Sequence, residues 1–109
     1  MDLIAVFTTV ATHEQADLLA RAAVEKRLAA CVQIEAIHST YRWQQEVVSE
    51  PEVRLMFKTT QVHDAPLEAL LRELHPYELP AIFALPVAEA SAAYTDWVVA
   101  SLAQHAGPR

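Results

Sequence analysis

The hydrophobic residues of this chain switch repeatedly between a spacing of about two and a spacing of three to four, and the order of those switches admits few folds. Leu3-Ile4-Ala5-Val6-Phe7-Thr8-Thr9 is a nearly continuous apolar run, expected to be a strand covered on both sides or central in its sheet. Thr12 followed by Gln15 has the spacing of a capping box, and Ala16, Leu19 and Ala23 then share one helical face. Alternation returns from Cys31 to Trp43, but its phase slips: Val32, Ile34 and Ala36 have one parity, and Ile37, Tyr41 and Trp43 the other. A bulge near Ala36-Ile37, or a change in which face is covered, accounts for that slip. From Val47 to Thr60 the residues Val53, Leu55, Phe57 and Thr59 oppose Glu52, Arg54, Met56 and Lys58. These two stretches form a long hairpin turning near Gln44-Gln45-Glu46, with Pro51 at a position unsuited to a central ladder.

Leu67, Leu70, Leu71 and Leu74 fall at i, i+3, i+4 and i+7, with Asp64 and Pro66 suited to the first turn and His75-Pro76 ending the helix. Ile82-Phe83-Ala84-Leu85 before Pro86 reads as a fourth strand, and Ser91 starts a third helix carrying Tyr94, Trp97, Val98 and Leu102 on one face. The order strand, helix, strand, strand, helix, strand is a split βαβ arrangement with an extra terminal helix, an α+β fold. Right-handed crossovers place the two principal helices on one face of an antiparallel four-stranded sheet and leave the other face bare. A half-covered sheet with arms this long is expected to associate with copies of itself.

A length of 109 residues supports one hydrophobic core, so residues 1–109 are expected to form a single domain whose last residues, 104–109, fray. With 53% apolar and 20% charged residues, the chain has too much apolar area for a disordered or purely electrostatic module. Its formal net charge of -6, without a basic cluster, argues against nucleic acid as a partner. No run approaches the ~18 apolar residues of a membrane span. Met1-Asp2 leads directly into a strand-like segment with no basic leader, so a cytoplasmic location is expected. The lone cysteine, Cys31, lies in an apolar run and reads as a buried spectator thiol.

Chemistry is harder to find. The single glycine, Gly107, lies too close to the C-terminus to serve a phosphate loop or a nucleophile elbow. Soft ligands for copper are dispersed: Cys31 and Met56 sit in separate apolar segments, with no His-x-x-His or Cys-x-x-Cys spacing. His75 is placed to cap the second helix, where the helix dipole favours an imidazolium, or to ligate a metal. Tyr41, Trp43, Glu50, Glu52, Lys58, Tyr77, Tyr94 and Trp97 are the candidates for a cleft or interface between subunits. Charge pairing across that interface, small-ligand binding, and an enzyme site assembled from His75, Tyr77, Lys58 and a carboxylate all remain open.

Ala29-Ala30-Cys31-Val32-Gln33-Ile34, Tyr41-Arg42-Trp43, Phe57-Lys58-Thr59-Thr60, His75-Pro76-Tyr77-Glu78-Leu79-Pro80 and Tyr94-Thr95-Asp96-Trp97 closely resemble motifs of the CutA family of divalent-cation tolerance proteins, over residues 3 to 103. That resemblance implies a ferredoxin-like subunit in a homotrimer, an architecture similar to the PII signalling proteins, and an association with copper or another divalent cation without a settled enzyme reaction. Two other roles compete with metal tolerance: a PII-like signalling or small-ligand or protein-interaction module, and an enzyme with an intersubunit site. Of the proposed copper ligands in the family, a cysteine falls on Thr8 and a histidine on Leu74, while His75 is retained. Two glycines usual in the family fall on Ala36 and Gln45.

Overall fold

The computed structural model of the chain describes residues 2–103; the expected fray of residues 104–109 lies outside them. The element order is β1 (Leu3–Val10), α1 (His13–Glu25), β2 (Cys31–Trp43), β3 (Glu46–Thr60), a 3-10 turn (Gln61–His63), α2 (Asp64–Leu74), β4 (Ile82–Pro86) and α3 (Ala92–Leu102). The strands form one sheet in the order β2-β3-β1-β4 with every neighbouring pair antiparallel. This is the ferredoxin-like split βαβ topology anticipated above, with the extra C-terminal helix.

The capping box forms as spelled: the Gln15 amide donates to Thr12 Oγ1 at 3.1 Å, and Thr12's amide donates to Gln15 Oε1 at 3.3 Å. Ala16, Leu19 and Ala23 are then buried against the sheet, where small residues allow close approach. On α2 the buried face is Leu67, Leu70 and Leu71. Both helices meet Ile4, Val6 and Val10 of β1 and Val53, Leu55 and Phe57 of β3, so one core fills the space between helix layer and sheet. A buried aliphatic or aromatic side chain of this kind contributes about 1.5–3 kcal/mol.

With almost no glycine to spend, the chain bends at ordinary residues. At the end of α1, Arg27 has φ 58, its amide donating to Val24 and the following Leu28 amide to Ala23, a Schellman closure in which glycine is the usual residue. The Arg27 guanidinium donates to the Ser101 carbonyl at 3.1 Å, tying that turn to the last turn of α3. The β2-β3 hairpin turns through Gln44 and Gln45, with φ 49 and 69, the two left-handed residues that a two-residue turn of matching twist requires.

Pairing of β2 with β3 runs without interruption from Cys31↔Lys58 to Trp43↔Glu46. No bulge interrupts it at Ala36-Ile37, and the change of parity reflects a change of covered face. Beyond Val10↔Val53, β3 has lost β1 as a neighbour and the hairpin continues as a two-stranded arm. Pro51 sits in that arm, where β3 has one free edge and a missing amide costs little.

The face away from α1 and α2 is not entirely bare. Val98 and Leu102 of α3 pack on Leu3, and the Lys58 ammonium lies 5.6 Å from the Tyr94 ring centroid, so α3 covers one end of it. Farther along, Phe7 stacks on its β4 partner Phe83 with centroids 5.3 Å apart, and Arg54 lies over Phe7. Cys31 is half-buried, more open than its apolar neighbours suggest.

Candidate functional site

Segment 75–81 carries the chain from α2 to β4 and touches both sides of the sheet on the way. His75 ends α2, its amide donating to the Leu71 carbonyl at 2.8 Å. Its ring turns back toward the core and meets Thr8, with Nε2 and Oγ1 3.0 Å apart. The Tyr77 amide donates to Nδ1 at 3.1 Å, which makes Nδ1 an acceptor; in the neutral ring the proton is then on Nε2, which donates to Thr8. Burial pulls the His75 pKa below the ordinary imidazole range, against smaller opposing contributions from the Thr9 backbone and the Glu52 charge. The imidazolium cap expected at this helix end is therefore replaced by a neutral ring with both nitrogens engaged.

Two residues later Tyr77 leans on the His75 ring, with centroids 5.0 Å apart, and its hydroxyl donates to Glu52 Oε2 at 2.7 Å. Pro76 and Pro80 restrict the backbone on either side of it. Tyr77 is pushed well above the usual phenol range, first by burial and then by the hydrogen bond to Glu52.

Opposite this segment stands the hairpin arm. Ser39 pairs with Glu50 and Tyr41 with Val48, so Tyr41 and Glu50 are diagonal neighbours on one face of the arm. The Tyr41 hydroxyl donates to Glu50 Oε1, and that bond is the main reason its pKa is raised. Trp43 follows Tyr41 on the same face and Glu52 follows Glu50. Between arm and segment lies a cavity of about 830 Å3, with Tyr41, Trp43, Glu50, Glu52 and Tyr77 in its wall.

Five of the candidates named from the sequence thus meet in one place. Lys58, Tyr94 and Trp97 do not join them. They lie at the other end of the open face, where Tyr94 stacks on Trp97 at 5.9 Å and Lys58 sits over Tyr94, beside a smaller cavity of about 340 Å3. Trp97 is 49% exposed, away from the contact that Val98 and Leu102 make with Leu3. The expected charge pairing is also divided. Arg54 pairs with Glu35 at 2.7 Å across the β2-β3 ladder, whereas Glu50 and Glu52 are held by tyrosines. Thr9 and Leu79, which also line the larger cavity, were not singled out from the sequence because neither carries a recognisable chemical signal.

Copper does not fit His75 as this subunit holds it. Thr8 offers a hydroxyl where a thiolate would be the soft donor, and both ring nitrogens already have partners. Among the described residues no group of three or more His, Cys, Asp or Glu side chains is arranged to hold a metal ion.

The fold and motifs have close counterparts. A solved CutA structure from Synechococcus elongatus superposes with a TM-score of 0.91 at 45% identity, covering 94% of this chain and 91% of that one. The periplasmic divalent cation tolerance protein CutA from Archaeoglobus fulgidus gives a TM-score of 0.91 at 27% identity, covering 93% and 99%. The divalent-cation tolerance protein CutA of Thermus thermophilus is 47% identical over 94 residues, 85% of this chain and 91% of that protein. Residues 4–101 match the family model described as CutA1 divalent ion tolerance protein. With the topology, the separated motifs and these relatives in agreement, the chain belongs to the CutA1 family of divalent ion tolerance proteins.

Proposed function

We propose that this protein serves divalent-cation tolerance as a homotrimer that binds a ligand without transforming it, and that the cleft between the hairpin arm and segment 75–81 is its working site, closed by a neighbouring copy. One observation carries the reading: the open face of the sheet presents Phe83 at 53% exposure and Leu85 at 51%, and the arm adds Trp43 at 44% near its tip. An apolar face of this kind on a small protein marks an interaction surface. A second copy is the economical cover, because closed symmetry buries the same patch on every subunit. The threefold count follows the family expectation. It is compatible with an arm long enough to reach beyond the compact part of the subunit, whose overall extents are 52 × 31 × 21 Å.

Ligand binding between subunits, as in a PII-like module, uses this same cleft. Copper coordination through His75 has no support from the donors present in one chain. A cytoplasmic location fits a chain with one cysteine and no possible internal disulfide, and cell fractionation tests it. Light scattering of dilute protein at native pH is expected to return the mass of three chains; a monomer or dimer overturns the assembly. Calorimetric titration of verified apo protein with copper in both oxidation states is expected to show no heat that depends on His75. Saturable binding that His75→Ala abolishes would restore a metal role to that residue.

A further inference from the structure

Glu52 is 8% exposed, yet its charge has no cationic partner among the described residues. Its Oε2 accepts from Tyr77, and no second hydrogen bond among those residues reaches Oε1. Glu50, two residues away on the same face of β3, is half-buried and also lacks a cation among the described residues, with Tyr41 occupying Oε1. Phenols stabilise carboxylates but do not neutralise them. Burial and the same two glutamates raise the pKa values of both tyrosines, so each phenol stays a donor. A carboxylate of such low exposure as Glu52 ordinarily lies beside a positive group.

The walls say what kind of cation fits. A hard divalent ion takes six or more oxygen donors in a compact shell, whereas here Glu50 and Glu52 each already hold a phenol and, although Glu78 also lines the cavity, no group of three such side chains among the described residues is arranged to hold a metal. The cavity, about 830 Å3, has the size of a small-molecule site and is lined by Tyr41, Trp43 and Tyr77. Aromatic faces beside carboxylates bind an ammonium by cation–π attraction and ion pairing together, while the rings take an apolar body. The same surroundings repel phosphates and other anions.

Building on the cleft as the working site, we propose that it binds an organic ammonium: a protonated amine on an apolar or aromatic body, its charge at Glu50 and Glu52 and its carbon frame against Tyr41, Trp43 and Tyr77. The test is calorimetry on the assembled protein, its mass checked by light scattering in the same buffer, with 2-phenylethylammonium chloride and its neutral analogue 2-phenylethanol as probes. Saturable binding of the ammonium, at least about tenfold tighter than the alcohol, is expected. Glu50→Gln, a change on the open arm, is expected to weaken the ammonium about tenfold and leave the alcohol unchanged. Raising the salt concentration should likewise weaken only the ammonium, a readout that needs no variant. Equal binding of both probes would reduce the cleft to an apolar pocket, and no ammonium binding to an intact assembly would mean that a neighbouring subunit already supplies the cation; either result overturns the proposal. A protein that is not trimeric removes the assembly reading whichever way the titration goes, so the two failures are distinguishable.

Discussion

The two halves of β3 are one continuous strand with one uninterrupted ladder to β2, yet they do different work. From Val53 to Lys58 the strand lies between β1 and β2, and the alternate residues Val53, Leu55, Phe57 and Thr59 are no more than 4% exposed. From Glu46 to Glu52 it has β2 alone, and its side chains are exposed or half-buried until Glu52. The loss of one neighbour converts a core strand into an arm. Side chains freed from the core can then hold charge and rings toward a cleft, and Glu52, at the junction, belongs to both regimes.

That contrast breaks most severely in the covered half. Phe57→Ala removes a fully buried ring between two helices and the sheet and is expected to cost about 3–5 kcal/mol, seen as a large loss in the denaturation midpoint. A cost as small as that of an exposed residue would show that the two halves are not energetically distinct. On the arm, Trp43→Ala is expected to weaken assembly by about 2 kcal/mol while leaving helix content by circular dichroism unchanged. Native mass measurement over a dilution series reads this, and an unaltered dissociation profile would place Trp43 outside the interface.

Between the halves, Tyr77→Phe deletes the hydroxyl that holds Glu52 and is expected to cost about 1.5 kcal/mol, as a hydrogen bond to a charged group does. At the tip, Gln45→Gly replaces a left-handed residue with the one that adopts this φ freely, and a gain of about 1 kcal/mol is expected in chemical denaturation. No gain would mean that the Gln45 side chain contributes contacts that offset its backbone cost. The finest effect is on pH. Because folding lowers the His75 pKa, the unfolded chain binds the extra proton first, so His75's contribution is present above the ordinary imidazole pKa of about 6.5 and is lost as pH falls below it toward the folded value. Comparing wild type with His75→Gln between neutral and mildly acid pH should show a shallower slope in the variant; identical slopes would remove His75 from the linkage.

Local pattern carried much of this. The Thr12-Gln15 box, the leucine face of α2, the alternation of Val53 to Thr59 and the Ser91 cap are each written within a few residues, and each forms as spelled. Site residues were legible as types and not as a group. Tyr41, Trp43, Glu50 and Glu52 are linked by the hairpin register, which the turn at Gln44-Gln45 sets, but that turn lacks the glycine that would announce its form. Tyr77 joins them from a segment far along the chain, and Lys58, on the same strand as Glu52, is separated from them by the length of the sheet.

What the sequence by itself determined is the set of elements and their order, because side-chain polarity at spacings of two or about 3.6 selects strand or helix locally and few topologies accept the resulting succession. Tertiary structure alone decided which end of β3 would carry the cleft, that His75 would be a neutral ring against Thr8, and that Arg27 would accept a left-handed backbone while reaching Ser101. The physical reason is the same in each case. Burial, charge compensation and the tolerance of a strained dihedral depend on neighbours brought together by the whole fold, and no local period encodes who those neighbours are.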